Sequence, residues 1–116
     1  MTRRRLDLLP GTLDMLVLKT LTVGEMHGYA IVRHIQQRSA DVLQVEEGSL
    51  YPALHRMHAR GLIQAKWGLS ESNRRAKFYA LTASGRKRLK RDERAWQDIS
   101  GAIAKVLHAA VAGALP

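Results

Sequence analysis

The sequence predicts a mainly α-helical chain carrying one small β-hairpin, and three observations predict it. Apolar residues recur at helical spacing in four separate stretches. Two strand-like runs, 62–68 and 75–81, flank a segment, Leu69 to Arg74, whose Ser, Asn and Glu content suits a turn. The last helical stretch repeats its apolar residues every seven positions, which is the pattern of a long helix that packs against another helix.

At 116 residues the chain has the size of one compact domain. Its hydrophobic fraction of 46% and charged fraction of 25% are those of an ordinary globular protein. No apolar run is long enough to span a bilayer. Met1 to Leu9 holds three consecutive arginines, but Pro10 and Gly11 interrupt it and no long apolar stretch or small-residue cleavage site follows, so a cytoplasmic location is expected. With no cysteine, disulfides, thiolate metal sites and cysteine nucleophiles are excluded together.

The first helix is expected over Thr12 to Thr22, with Leu13, Leu16, Val17 and Leu21 as its core face. Met15 and Leu18 make its other side apolar too, and a helix apolar nearly all round must be covered on more than one side, which hints at a second subunit. Gly24 closes this helix, and His27 to Arg38 resumes the pattern through Ile31 and Ile35. His27 is expected to cap or pack this second helix, with Gly28 allowing close approach. Leu43, Gln44 and Val45 alternate in a way that permits a short strand.

The third helix is expected to begin near Ser49 as N-cap, with Pro52 in the first turn, where a missing amide costs nothing. Leu50, Leu54 and Met57 form its inner face; Ser49, Pro52, His55, Arg56 and Ala59 form a polar outer face, with Tyr51 at the boundary. Gly61 ends it and the hairpin follows. Thr82 then N-caps a helix running from Ala83 to about Ala112. Leu89, Trp96, Ile103 and Ala110 form one heptad row of this helix, and Ile99 and Val106 an interleaved one.

Helix, helix, helix and hairpin in that order is the layout of a winged helix-turn-helix, here followed by one long C-terminal dimerisation helix. The expected organisation is a basic arm over 1–10, the winged helix-turn-helix over 11–82, the dimerisation helix over 83–112 and a tail over 113–116. A helix can enter the DNA major groove while a basic hairpin beside it grips phosphates. The charge distribution agrees. The net charge is +9, and residues 61–94 carry ten Lys/Arg against three Asp/Glu, whereas residues 1–60 carry eight against six. A solvated basic face that only keeps the protein soluble is the bland alternative.

The phrases LLPGTLDMLVLKTL, MHGYAIVRHI, VEEGSLYPALHRMHARGLI and NRRAKFYALTASGRKRL, in that order, resemble the PadR family of bacterial transcriptional regulators over roughly residues 8–107. The single C-terminal helix resembles that family's compact branch. The resemblance implies homodimeric winged-helix repressors that dimerise through the last helix against the partner's first helix, some with small aromatic or cationic effectors at the dimer interface.

By that resemblance Ser49, Tyr51, Pro52, His55 and Arg56 fall on the recognition helix. Ser49 or the helix N-terminal amides suit a phosphate, and His55 and Arg56 can donate to bases or phosphates. Tyr51 packing into the domain and Pro52 merely starting the helix remain open. In the hairpin Asn73, Arg74, Arg75 and Lys77 bring a hydrogen-bonding group and three cations near one tip. Alternation places Arg75 and Lys77 on one side and Arg74 on the other. Trp67 is expected to pack under the wing. The run Arg86, Lys87, Arg88, Lys90, Arg91 and Arg94 reads as a solvated helix face.

Met15, Leu18, Leu89, Trp96, Ile99, Ile103 and Val106 are the expected dimer-interface residues. A pair of Trp96 rings across a two-fold axis can form a slot for a flat or cationic ligand, with Met15 and Leu18 as its other wall; dry packing between subunits is the alternative. His55 and His58 are three apart on one helix, but no third metal ligand is evident. No catalytic constellation, G-x-S-x-G turn or Gly-rich phosphate loop is present, so neither an enzyme nor a cofactor is expected. The expected partners are double-stranded DNA, a second copy of the chain and a small-molecule effector, with no membrane. The rivals left open are a protein-interaction module built on the same fold and a nonspecific DNA binder.

Overall fold

The structure of the chain, a computed structural model, describes residues 6–7 and 11–113, with side chains from 11 to 108. Most of the expected basic arm, including Arg3, Arg4, Arg5 and Pro10, and the tail from 114 to 116 lie outside the described residues, as does the side chain of Ala110. Within the arm, Leu6–Asp7 forms a short strand, β1.

Helix α1, Thr12–Thr20, starts after Gly11, whose φ of 85° is a left-handed conformation that glycine adopts without steric cost. Val17, Leu18 and Leu21 are buried, and the buried hydroxyl of Thr20 donates to the Leu16 carbonyl at 2.8 Å. A two-residue strand β2, Met26–His27, leads into α2, Gly28–Arg38. Helix α2 is capped by a histidine: the Nδ1 of His27 accepts from the Ala30 amide at 3.2 Å, as a Ser or Asp cap would. Strand β3, Leu43–Gln44, pairs in parallel with β1.

Helix α3 spans Glu47–Ala59, so its N-cap position falls three residues before the expected one. Ser49 is not its N-cap. Glu46 is, by backbone alone: its carbonyl accepts from the amides of Ser49 and Leu50 at 3.0 and 2.9 Å. The earlier start places Pro52 inside the helix rather than in its first turn, so the Gly48 carbonyl has no amide to accept from at Pro52.

The expected hairpin is present as β4, Ile63–Leu69, and β5, Arg75–Leu81, but it belongs to a three-stranded sheet in the order β2-β5-β4. Met26 pairs with Tyr79 and His27 with Phe78, so the central strand of the wing is bonded to the entrance of α2. The turn closes through Ser70, whose amide donates to the Arg74 carbonyl at 2.8 Å and whose hydroxyl accepts from the Arg74 amide at 3.2 Å. Asn73 takes a left-handed φ of 61°, which an Asn side chain tolerates.

Helix α4, Ala83–Gly113, is N-capped by Thr82, which accepts from the Gly85 amide at 3.0 Å and donates to the Gly61 carbonyl at 2.7 Å. This second bond ties the helix start to the end of α3. Gly85 is buried there, and a Cβ at this position would collide with the Leu62 carbonyl oxygen and with Leu81.

The core joins Val17 and Leu18 of α1, Ile31 and Ile35 of α2, Leu50, Leu54 and Met57 of α3, Ile63 of β4 and Leu89 of α4. Two expected partner-facing residues are corrected by it. Leu18 is 1% exposed and Leu89 4% exposed, both within the chain's own core. The reason is that α1 packs against α2, α3 and the first part of the chain's own α4, so its second apolar side is covered internally. No described helix is long and apolar enough to cross a membrane.

Candidate nucleic-acid interface

The third helix turns Leu50, Ala53, Leu54 and Met57 inward because they recur at three- and four-residue steps. The same steps bring Pro52, His55 and Ala59 onto the opposite, exposed side. Ser49, Tyr51 and Arg56 are exposed on the flanks between these faces.

The two flanks differ. On one, Arg56 reaches α1, and its Nη2 donates to Asp14 Oδ1 at 3.2 Å. On the other, Tyr51 lies against the entrance of α2, where a Cβ on Gly28 would stand 2.8 Å from the Tyr51 hydroxyl. Glycine at 28 is thus what lets the two helices approach. Tyr51 is nonetheless 47% exposed, so its ring packs on one side and faces solvent on the other.

The wing stands beside this second flank. Its register sets Ile63, Ala65, Trp67 and Leu69 opposite Leu81, Tyr79, Lys77 and Arg75, so these eight residues share the face turned to the helices. Near the base Ile63 and Tyr79 are buried; toward the tip Trp67 and Leu69 are exposed, beyond the reach of the core. Trp67 does not pack under the wing as expected. It is 58% exposed, and the guanidinium of Arg75 lies 4.7 Å and the ammonium of Lys77 5.9 Å from its ring centroid. Arg74 and Asn73 belong to the turn before β5 and are also exposed.

Between the wing and the helices runs an open groove of about 1150 Å³, with Tyr29 and Arg33 of α2, Tyr51 of α3, and Trp67, Arg75 and Lys77 of the wing among its lining residues. Arg33 sits over Tyr29 at 5.8 Å from its centroid. Tyr79 lines the same groove near the core. Burial pushes its phenol above the usual pKa, and the neighbouring Tyr51 adds to the shift.

Carboxylates neutralise only some of the cations. Lys19 pairs with Glu93, Lys66 with Glu25, Arg56 with Asp14, and Arg88 and Arg91 with Asp92. Among the described residues Arg33, Arg74, Arg75 and Lys77 have no carboxylate within ion-pair distance. Arg38, Arg60, Arg86, Lys87, Lys90, Arg94 and Lys105 are likewise without a carboxylate partner elsewhere on the described surface; what distinguishes Arg33, Arg74, Arg75 and Lys77 is that their unpaired charges line one groove, as a phosphate-binding surface requires.

The exposure of the wing cations and of the outer face of α3 agrees with the sequence pattern. Tyr29 and Arg33, which read as ordinary positions of the second helix, also line the groove, and Trp67, expected under the wing, is exposed beside them. A signal for Trp67 was available: a turn ending at Arg74 sets position 67 opposite position 77 once the strands pair in register. On α4, Trp96, Ile99, Ile103 and Val106 are exposed together with Leu107. Met15 is half-buried on α1, and Leu18, in the core, cannot form a wall of an interfacial ligand slot.

Residues 17–91 match the transcriptional regulator PadR-like family. A transcriptional regulator from Clostridium thermocellum superposes with a TM-score of 0.75 at 28% identity, covering 82% of this chain and 92% of that one. A PadR family transcription regulator from Clostridium difficile R20291 superposes at 0.73 with 29% identity, covering 84% of this chain and 99% of that one. A transcriptional regulator of Mycobacterium tuberculosis is 30% identical over 77 residues, 66% of this chain and 68% of its own length.

Proposed function

The chain belongs to the PadR-like family of transcriptional regulators, which bind DNA, and from that premise we propose that it is a homodimeric repressor of a near-palindromic operator, acting in the cytoplasm. Residues 11–82 form the DNA-binding unit and residues 83–112 the dimerisation helix. The observation that carries this reading is the adjacency of an exposed helix face, Pro52 and His55 with Ser49 and Tyr51 beside them, to wing cations that no carboxylate among the described residues neutralises. The helix face suits a major groove, and Asn73, Arg74, Arg75 and Lys77 suit the flanking phosphates.

The dimer reading rests on α4. Trp96, Ile99, Ile103 and Val106 follow one another at three- and four-residue steps and stay exposed, unlike Leu89 earlier in the same helix. A continuous exposed apolar row on a helix is the mark of an interface, and a two-fold axis is the usual solution for two identical chains. Met15, half-buried on α1, is assigned to the same interface. In this reading a small aromatic or cationic molecule seated against Trp96 releases the operator.

Selection of genomic fragments by the purified protein at physiological salt tests the proposal. The expected result is a two-fold symmetric site whose half-sites lie about one helical turn, roughly 34 Å, or a multiple of it apart. Retention without sequence preference would make the protein a nonspecific DNA binder. No retention at all would favour a protein-interaction module.

A further inference from the structure

A surface cation can be ordered in two ways. A carboxylate holds it but cancels its charge toward a third party. An aromatic face holds it through the ring quadrupole and leaves the net charge intact. Four of the cations on this molecule that meet another described element, or a neighbouring turn of their own helix, are held the first way: Lys19, Lys66, Arg56 and Arg88. The wing cations Arg75 and Lys77 are held the second way, both by the single ring of Trp67.

The register explains how one ring serves two cations. Lys77 is directly opposite Trp67, and Arg75, opposite Leu69, is its diagonal neighbour on the same face. The indole is 58% exposed, too far from the core to be explained as packing. Arg33 is held on Tyr29 in the same manner across the groove.

We propose that Trp67 is a positioning residue of the DNA interface: a platform that holds the Arg75 and Lys77 side chains extended on the wing while keeping both charges available to phosphate. This rests on the DNA-binding reading above. The physical gain is conformational. Long Arg and Lys side chains otherwise lose rotamer freedom when they meet the phosphates, and a ring that orders them beforehand removes most of that loss from the binding step. The platform has little to do with folding, so its removal leaves thermal stability nearly unchanged.

The test uses the full-length protein and a mixed-sequence DNA duplex of about three helical turns, roughly 30 base pairs, titrated between about 50 and 200 mM salt. Trp67→Leu, which keeps an apolar side chain but no ring face, is expected to weaken binding about tenfold with a nearly unchanged salt slope. Trp67→Phe restores most of the loss. Arg75→Gln weakens wild type and lowers the slope by about one, and it costs less in the Trp67→Leu background because the two residues act as a pair. Trp67→Leu binding like wild type while Arg75→Gln binds weakly would overturn the platform and leave the DNA reading standing. So would Trp67→Phe failing as badly as Trp67→Leu. Loss of salt-dependent binding in no variant, because wild type itself shows none, would instead remove the DNA reading and the platform's role with it. A DNA-free readout separates the contact from its use. In a Trp96→Phe background, where Trp67 is the only tryptophan, Arg75→Gln is expected to shift the Trp67 emission, and an unchanged spectrum would refute the contact itself.

Discussion

Arg56 on α3 and Asp14 on α1, 42 positions apart in the chain, are joined at 3.2 Å by a hydrogen-bonded ion pair. The pair makes Arg56 the bridge between the helix proposed to face DNA and the helix that α4 packs on. Both side chains are accessible, so the pair adds at most about 1 kcal/mol to stability. Its larger consequence is electrostatic, because a neutralised arginine offers less to a phosphate. Asp14→Asn is therefore expected to strengthen duplex binding several-fold at low salt, and Arg56→Gln to weaken it, with thermal unfolding almost unmoved in both. Equal affinities for wild type, Asp14→Asn and Arg56→Gln in a fluorescence-anisotropy titration would remove Arg56 from the interface. Arg56→Ala combined with Arg74→Ala is expected to abolish operator binding in a mobility-shift assay while the protein stays folded.

The exposed row of α4 predicts the oligomeric state. Ile103→Glu places a charge in the middle of the row, where burial against a partner costs several kcal/mol unless it is paired. Sedimentation of wild type is expected to report a dimer and of Ile103→Glu a monomer with unchanged helicity. A monomeric wild type would overturn the dimer reading. Trp96→Ala shortens the same row, and the fluorescence of Trp96 is expected to respond to an aromatic cation only if the interface is open; Trp96→Ala that leaves operator release unaffected would reduce it to packing.

Much of this arrangement was legible in the sequence because it is local. The spacing of Ile31 and Ile35, the cap at Thr82 and the Ser and Asn content of the turn are decided within a few residues, and the four helices and the hairpin follow from them. What depends on distant partners was not legible. Met26–His27 becomes a strand only because β5 offers it a free edge, and two residues carry no periodicity. The apolar second side of α1 reads as a surface for a subunit partner, and nothing near Leu18 shows that the chain itself buries it; in the structure Leu18 lies in the core, with α1 packed against α2, α3 and α4. Ser49 looks like a cap because its hydroxyl suits one, but the extended backbone at Glu46, with φ −91° and ψ 146°, starts the helix earlier. The candidate site divides in the same way. The exposure of His55 and the wing cations follows from face and turn, whereas the engagement of Arg56 with Asp14 and of Trp67 with Arg75 needs three dimensions.

Tyr79 predicts a pH dependence. Its folded pKa is raised, first by burial and then by Tyr51, above the unfolded value of about 10. For an acid whose charged form is disfavoured in the fold, the stabilisation is fully present below the unfolded pKa and is lost as pH rises through the folded one. Stability is thus expected to decline at alkaline pH, from about 10 upward. Tyr79→Phe removes this term, so its urea midpoint should fall less steeply above that pH than that of wild type. Parallel declines in the two proteins would show that other groups, not Tyr79, set the alkaline limit.

Two glycines of α4 predict opposite outcomes for the same substitution. Gly85 sits where the helix start crosses the Leu62 carbonyl, and the added methyl of Gly85→Ala would meet backbone rather than a movable side chain. The helix must shift away from β4 and β5, loosening the Thr82 contacts to Gly61 and Leu62. A loss of about 2 kcal/mol or more is expected. Gly101 lies in the same helix with nothing within 4 Å of a built Cβ, on the side away from Ile99 and Ile103. There alanine only narrows the unfolded ensemble and favours the helix, so Gly101→Ala is expected to stabilise by about 0.5–1 kcal/mol. Urea unfolding of the two variants at equal protein concentration measures both. A Gly85→Ala midpoint equal to wild type would mean that α4 is free to slide on the wing. That mobility would contradict a rigid junction between α4 and the winged helix.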